Sequence, residues 1–377
     1  MTRNAKFTTI ATKTTALSTA VVALETGNTN YEAAKATADQ LMTVRDNARI
    51  TAENAAQDLA TAAEGVTKDL SCRNLLHGGA SVKGMSKIPT EAPQGEVIQQ
   101  VAEMAMTLSR PHLADYGSSR SRHDFTQRQL LSCLVLKAYL KTTYRGVVEI
   151  LAVSQELRQC LGLTQKLPHY TALQKFSARS QVVAIVQAII ARVAGFALQQ
   201  SPAPAVAMDS TGLATTTASA YFQSRRGDRC RRWVKISTVV ICGSLLPVAL
   251  VLDWGPNNDR VQAGELLRQA QAAGPVQQLY ADAGYDAEWI HVQCREQWGA
   301  ESLIKPNGQR ADGTRNGKWR AAMSAEHLKA RGYGRRWAVE SFFSGLKRTM
   351  GAALSSRRPD QMLAEAAFRV LAYTLRR

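Results

Sequence analysis

The sequence predicts an α/β protein, a mixed sheet flanked by helices, preceded by an all-helical domain and by a separate N-terminal helical segment. Three observations predict this. Between residues 205 and 305, five short aliphatic or β-branched runs are separated by polar turns; residues 96–200 carry apolar side chains at helical spacing; and residues 1–70 are rich in Ala and Thr with almost no aromatics.

In the N-terminal segment, acidic residues recur every seventh place at Glu25, Glu32, Asp39, Asp46 and Glu53, and a seam of small residues interrupted by Arg45 runs in register with them. This pattern predicts a long helix or a helical hairpin over 1–70. Gly78, Gly79, Gly84, Pro89 and Pro93 mark 71–95 as a flexible linker. From 96 to 200, Phe125, Leu130, Leu134, Leu136, Leu140, Val147, Ile150 and Leu151 are spaced to build a helical core. The stretch 167–171 interrupts that spacing and 172–176 resumes it, the outline of a helix-turn-helix. Contact with DNA and simple packing are both open readings of this corner. After Pro202 and Pro204, strands are expected at 205–208, 233–242, 245–252, 277–281 and 302–305, with helices at 262–273, 289–298 and from about 335. The expected domains are thus 1–70 (helical leader, of the kind a gene fusion leaves), 71–95 (linker), 96–200 (helical, DNA-binding) and 201–377 (sheet, catalytic).

Charge points to the partner. Forty-seven Lys and Arg against thirty Asp and Glu give +17, more than solubility requires, and imply a polyanion. Residues 1–70 hold seven basic and eight acidic residues, about −1, so the remaining chain carries about +18. No run of eighteen or more apolar residues occurs and residues 1–18 are polar, so no membrane association and a cytoplasmic location are expected. The six cysteines include no CxxC pair, which argues against a zinc ligand set or a disulfide scaffold.

Cutting and transferring a phosphodiester needs two divalent ions about 3.5–4 Å apart, one at the attacking and one at the leaving oxygen. Hard Mg²⁺ takes carboxylate oxygens, usually few of them, so Asp and Glu drawn from distant segments are the pattern to seek. Asp209 closes the first expected strand and Asp282 the fourth, and ligands of open sheets bind at strand ends. Either Asp taken singly would more often cap a turn. Tyr333, Arg336, Glu340 and Lys347 fall within an arc of roughly 60° on one helix face at about 100° per residue, with Val339, Phe343, Leu346 and Met350 on the adjacent face to pin the helix. Glu340 is therefore the third candidate, flanked by Arg336 and Lys347 for phosphate oxygens. The alternative is a solvated face with i,i+4 charge pairing.

These residues carry a family resemblance. Tyr333-x2-Arg336-x3-Glu340-x6-Lys347 matches the Y-R-E-K signature of insertion-sequence DDE transposases, and Asp209-Ser210-Thr211 with Ala281-Asp282-Ala283-Gly284-Tyr285 resembles the segments that supply their two aspartates. The resemblance covers about residues 100–377; residues 1–70 resemble nothing in the family. It implies an RNase H-like fold, two Mg²⁺ (or Mn²⁺) ions at Asp209, Asp282 and Glu340, nicking at the element ends, and attack of the freed 3′-hydroxyl on target DNA. Double-stranded DNA, as terminal inverted repeats and as target, would be the partner, bound by a homodimer at the bacterial nucleoid. With 58 positions between Asp282 and Glu340, no large β insertion is expected there.

Arg225, Arg226, Arg229, Arg231 and Arg232, followed by Lys235, lie between the first two expected strands and suit backbone phosphates, which fix register without reading sequence. The Gly/Asn-rich stretch 305–320, with Arg310, Arg315, Lys318 and Trp319, either orders on DNA or is a plain surface loop. Asp253, Asp259 and Asp286 are rival acids: Asp253 is the first substitute, and Asp286 is expected to begin a helix. His169 and His291 read as packing or surface residues, and Ser210 and Thr211 have no neighbouring His to activate them. Two other functions fit the same residues: an RNase H-like nuclease without strand transfer, and an inactive DNA-binding remnant.

Overall fold

The computed structural model describes residues 96–377 apart from 121, 164, 202–203, 216–232 and 309–314. The leader and linker expected at 1–70 and 71–95 lie outside the described residues.

Among the described residues, six α-helices precede the sheet: α1 (Glu96–Ser109), α2 (Gln127–Tyr139), α3 (Tyr144–Val153), α4 (Gln155–Cys160), α5 (Tyr170–Ser177) and α6 (Val182–Gln199). Local chemistry sets their starts. Thr126 accepts from the backbone N–H of Gln129 while the Gln129 side chain accepts from Thr126 N–H at 2.8 Å, a reciprocal cap that opens α2. Thr143 and Ser154 cap α3 and α4 in the simpler way. The corner read at 167–171 is real, and His169 there is the N-cap of α5.

The sheet contains β1 (Ala205–Ala214), β2 (Trp233–Ile241), β3 (Pro247–Gly255), β4 (Gln278–Ala281) and β5 (Glu301–Ile304), in the order β3-β2-β1-β4-β5. Strands β1, β2 and β3 pair antiparallel, and β4 and β5 run parallel to β1. This order and direction make the fold RNase H-like. Both faces are covered, which is why the strands read as nearly unbroken apolar runs. Side chains alternate between two cores: Ala207, Ile236 and Leu250 face α6, α11 (Trp337–Met350) and α12 (Pro359–Arg376), while Val206, Met208, Val239 and Ala249 face α7 (Arg260–Ala273) and α8 (Glu288–Val292). The remaining short helices are α9 (Lys318–Ala321) and α10 (Ala325–Ala330). Among the described residues between Asp282 and Glu340, β5 is the one strand.

Helix α6 joins the helical segment to the sheet. By length and composition it could cross a membrane, with mean hydropathy 1.9. Its Val186, Ile189 and Ile190 are instead fully buried in the core, and the Gln187 amide donates to the Leu250 carbonyl of β3 at 2.7 Å.

One strand boundary differs from the sequence reading. Strand β1 does not close at Asp209: it continues to Ala214 because β2 pairs with it as far as Ala214↔Trp233. What ends before Asp209 is the pairing with β4, whose last pair is Met208↔Ala281. The Trp233 indole lies across Gly212 of β1 and Gly255 of β3. A Cβ on Gly255 would fall 2.2 Å from the ring. Gly255→Ala should therefore cost about 1–3 kcal/mol by overpacking, seen as a lower urea midpoint, whereas Gly243→Ala, with nothing within 4 Å of its Cβ, should leave the midpoint close to that of the parent.

Candidate active site

Because β1 and β4 run parallel and their ladder stops at Met208↔Ala281, the next residue on each chain is an aspartate. Each spends one oxygen locally. Asp209 Oδ1 accepts from Ser210 N–H at 2.8 Å, and Asp282 Oδ1 accepts from Gly284 N–H at 2.9 Å, capping the single turn Ala283–Tyr285. Asp282 thus caps a turn, as one reading of the sequence had it, and does so with one of its two oxygens.

The third acid approaches through an arginine. Arg336 Nη1 lies 3.6 Å from Asp209 Oδ2, and Arg336 Nη2 donates to Glu340 Oε1. One planar guanidinium thus touches both carboxylates, so they lie within about 9 Å of each other. Val339, Phe343, Leu346 and Met350 are buried as the helical spacing required, and Glu340 is exposed on the open side of α11. Tyr333 and Arg336 belong to a 3₁₀ turn, Tyr333–Arg336, that precedes α11, so the four signature residues do not share one regular helix face. The Tyr333 hydroxyl donates to the Ala281 carbonyl at 2.8 Å, tying the start of α11 to the residue before Asp282. Burial raises its pKa to about 12. Lys347 is half-buried, one helical stretch beyond Glu340.

Sequence reasoning missed the role of Asp259. Its Oδ1 accepts from Ser210 Oγ at 2.5 Å and pairs with Lys235 Nζ at 2.7 Å, while its Oδ2 faces Gly284, where a Cβ would stand 3.1 Å away. One carboxylate therefore bonds the residue after Asp209 and stands beside the turn after Asp282. Lys235, counted with the basic turn in the sequence, is instead buried in β2 and also donates to Asn257. The detectable signal was a lysine inside an apolar strand run, which requires a buried anion as partner.

The electrostatics follow. Burial raises the Asp209 pKa to about 6, Ser210 N–H and Arg336 oppose the rise, and the charges of Asp282 and Asp259 add to it. The folded protein then holds this proton more tightly than the unfolded chain, whose value is near 3.8. The contribution of Asp209 to stability is therefore greatest below about pH 4, falls as pH rises toward 6 and is level above. In EDTA at pH 7.5, Asp209→Asn should be more stable than the parent by about 2–3 kcal/mol, from about 1.4 kcal/mol per pKa unit. Melting curves should show the gain vanish near pH 4, and an equal gain at both pH values would refute the assignment.

The other two rival acids are engaged elsewhere. Asp253 accepts from Asn257 and Gln262, both at 2.7 Å. Asp286 does not begin a helix: α8 starts at Glu288, and Asp286 is buried against Arg320 at 2.6 Å and Asn307 N–H at 2.7 Å. Burial would raise its pKa, but those donors outweigh it and hold the carboxyl below its ordinary value. His291 is buried against Ser302, and burial lowers its pKa to about 4, so it is neutral at physiological pH. Arg225, Arg226, Arg229, Arg231 and Arg232, and Arg310, lie outside the described residues.

Among the described residues, no group of three or more His, Cys, Asp or Glu side chains is arranged to hold a metal ion. Two carboxylates do fit one. Asp209 and Asp282 each keep an oxygen beyond their local cap, their charges reinforce one another, and Mg²⁺ commonly uses one or two carboxylates with water and phosphate completing the shell.

No curated protein matches the chain. Among solved structures, a piggyBac transposase synaptic complex with hairpin DNA, determined by cryo-EM, is similar at 10% identity and a TM-score of 0.39, covering 74% of this chain and 71% of that one. Residues 200–375 match the family model of the transposase DDE domain. They span the sheet, both aspartates and α11, so this part of the chain is similar to a transposase DDE domain.

Proposed function

We propose that this chain nicks DNA at the ends of an insertion sequence and joins the freed 3′-hydroxyl to target DNA, with Asp209, Asp282 and Glu340 as the ligands of two Mg²⁺ or Mn²⁺ ions. The observation that carries the reading is the meeting of Asp209 and Asp282 where the β1–β4 ladder ends, with Arg336 linking Asp209 to Glu340. When bound, the ions activate the attacking oxygen and stabilise the leaving one.

The chain's own groups do the rest. Ser210 N–H and Gly284 N–H fix the orientation of the two aspartates, and Asp259, held by Lys235, braces both segments. Arg336, placed between Asp209 and Glu340, exchanges a carboxylate for a phosphate oxygen when DNA enters, which frees Glu340 toward the aspartates. Lys347 and the arginines at 225, 226, 229, 231 and 232 contact backbone phosphates. Tyr333 supports the DNA path from its tie to Ala281. The helical segment 96–200 adds DNA contacts, residues 1–70 and 71–95 are a leader and linker outside the catalytic unit, and the protein works as a homodimer on inverted repeats in the bacterial cytoplasm.

The test is a strand-transfer assay with full-length chain, element-end duplexes, target plasmid and Mg²⁺. Joined product supports the proposal, and nicks without joining mark a nuclease. The engagement of Glu340 by Arg336 favours a second reading, a DNA-binding remnant, which binding without any nicking would establish.

A further inference from the structure

On the far side of the sheet core from α7, α2, α3, α5 and α12 line a cavity of about 90 Å³, with the exposed Lys141 and Ser355 also in its lining. Three cations and one carboxylate face it: Lys137, Lys141, Arg369 and Glu365. Two of these are already satisfied. Arg369 donates to Glu365 at 2.6 Å and to the Gly351 carbonyl at 2.9 Å. Glu365 also accepts from Ser355 N–H, Ser355 Oγ and Ser356 N–H, so both of its oxygens are filled. The Tyr144 hydroxyl is used as well, since Ser177 donates to the Gln174 carbonyl and leaves its oxygen to accept from Tyr144 at 2.9 Å.

Lys137 and Lys141 remain. Among the described residues neither ammonium has a hydrogen-bond acceptor or a carboxylate within ion-pair distance; the half-buried Lys137 lies over the Tyr144 ring, 4.6 Å from its centroid, attracted by Glu365 and repelled by Arg369 from farther off. A cation removed from water without an acceptor is costly. Such a group is retained most readily where a ligand supplies the missing oxygen atoms. The half-buried Lys137 and the exposed Lys141 both line a space well below the ~300 Å³ of ordinary small-molecule pockets, which suits a compact tetrahedral oxyanion.

We propose that this cavity binds a single phosphate group through Lys137 and Lys141. The group comes from a DNA backbone or from free phosphate. Its floor includes Met350, ten residues after Glu340 on α11 and so about 15 Å along that helix. A strand running from the catalytic carboxylates along α11 would bring a phosphate there about four nucleotide steps away. The DNA source rests on the proposed function; the phosphate site itself does not.

Full-length protein is melted in about 20 mM potassium phosphate and in KCl of equal ionic strength, at pH 7.5. Phosphate should raise the Tm of the parent by about 2–4 °C, Lys137→Met and Lys141→Gln should each abolish the rise, and Lys137→Arg should keep part of it. A second arm measures binding to element-end duplexes carrying one uncharged methylphosphonate, scanned about ten steps either side of the cut. A single position that weakens parent binding about 5- to 10-fold, and has no effect on Lys137→Met, identifies backbone phosphate as the occupant. A thermal shift without such a position identifies free phosphate. The proposal is overturned if neither arm responds, or if the responses persist in both lysine variants. Absence of nicking alongside a lysine-dependent thermal shift would sink the proposed function and leave this site standing.

Discussion

Replacing Asp282 by Asn, or Glu340 by Gln, should lower Mg²⁺-dependent nicking at element ends by at least about 10³-fold, because two-metal chemistry loses its charge neutralisation when one carboxylate goes. The amide introduced at position 282 keeps a carbonyl oxygen for Gly284 N–H, and residue 340 is exposed on α11, so both variants should unfold within about 1 kcal/mol of the parent. That contrast separates lost chemistry from lost folding. Full-length protein, a labelled element-end duplex and a urea titration are sufficient. A variant that nicks within tenfold of the parent rate would remove its residue from the site.

The largest stability effect should come from Asp286. Its side chain is fully buried, Arg320 Nη2 donates to Oδ2 at 2.6 Å and Nε to Oδ1 at 2.8 Å, and Asn307 N–H supplies a third bond. Asp286→Ala leaves a largely buried guanidinium and a backbone donor unpaired, which should cost about 3–5 kcal/mol. Arg320→Met with Asp286→Ala should recover part of that loss, since no charge is then left stranded. The carboxyl titrates below its ordinary value in the fold, so its contribution is complete above the unfolded pKa and is lost as pH falls through the folded one. Chemical denaturation at pH 7 and pH 3 should therefore show the difference between parent and variant shrinking in acid. An undiminished difference at pH 3 would mean that packing, and not the ion pair, sets the cost.

Much of this fold is legible in residue periodicity. The runs that became β2, β3, β4 and β5 are apolar on both faces, and α11 keeps Val339, Phe343, Leu346 and Met350 on one side as the helical repeat demands. What periodicity does not carry is partnership. The apolar run ends at Met208, yet β1 continues because β2 remains beside it to Ala214, and no local signal distinguishes the end of one ladder from the end of a strand. The same limit explains the acids. Asp259, Asp286 and Asp253 look alike in sequence as turn aspartates, and their different fates depend on Lys235, Arg320 and Gln262, at separations of 24, 34 and 9 positions. Tyr333 was legible as part of a signature but not as a tie to Ala281, since the helix begins after it and not before. The two aspartates and Glu340 could be nominated from spacing and resemblance; the arginine that stands between them belongs to three-dimensional structure.

The last helix has a consequence for how the molecule is made. Helix α12 packs against α1, α2 and α6 from the beginning of the described chain, as well as α11 and strands β2 and β3. A nascent chain emerging from the ribosome therefore exposes the apolar backs of α1, α2 and α6 until α12 has been synthesised, and these long-range contacts favour late, slow closure. A chain cut short before α12 would leave those faces uncovered and would aggregate or be degraded.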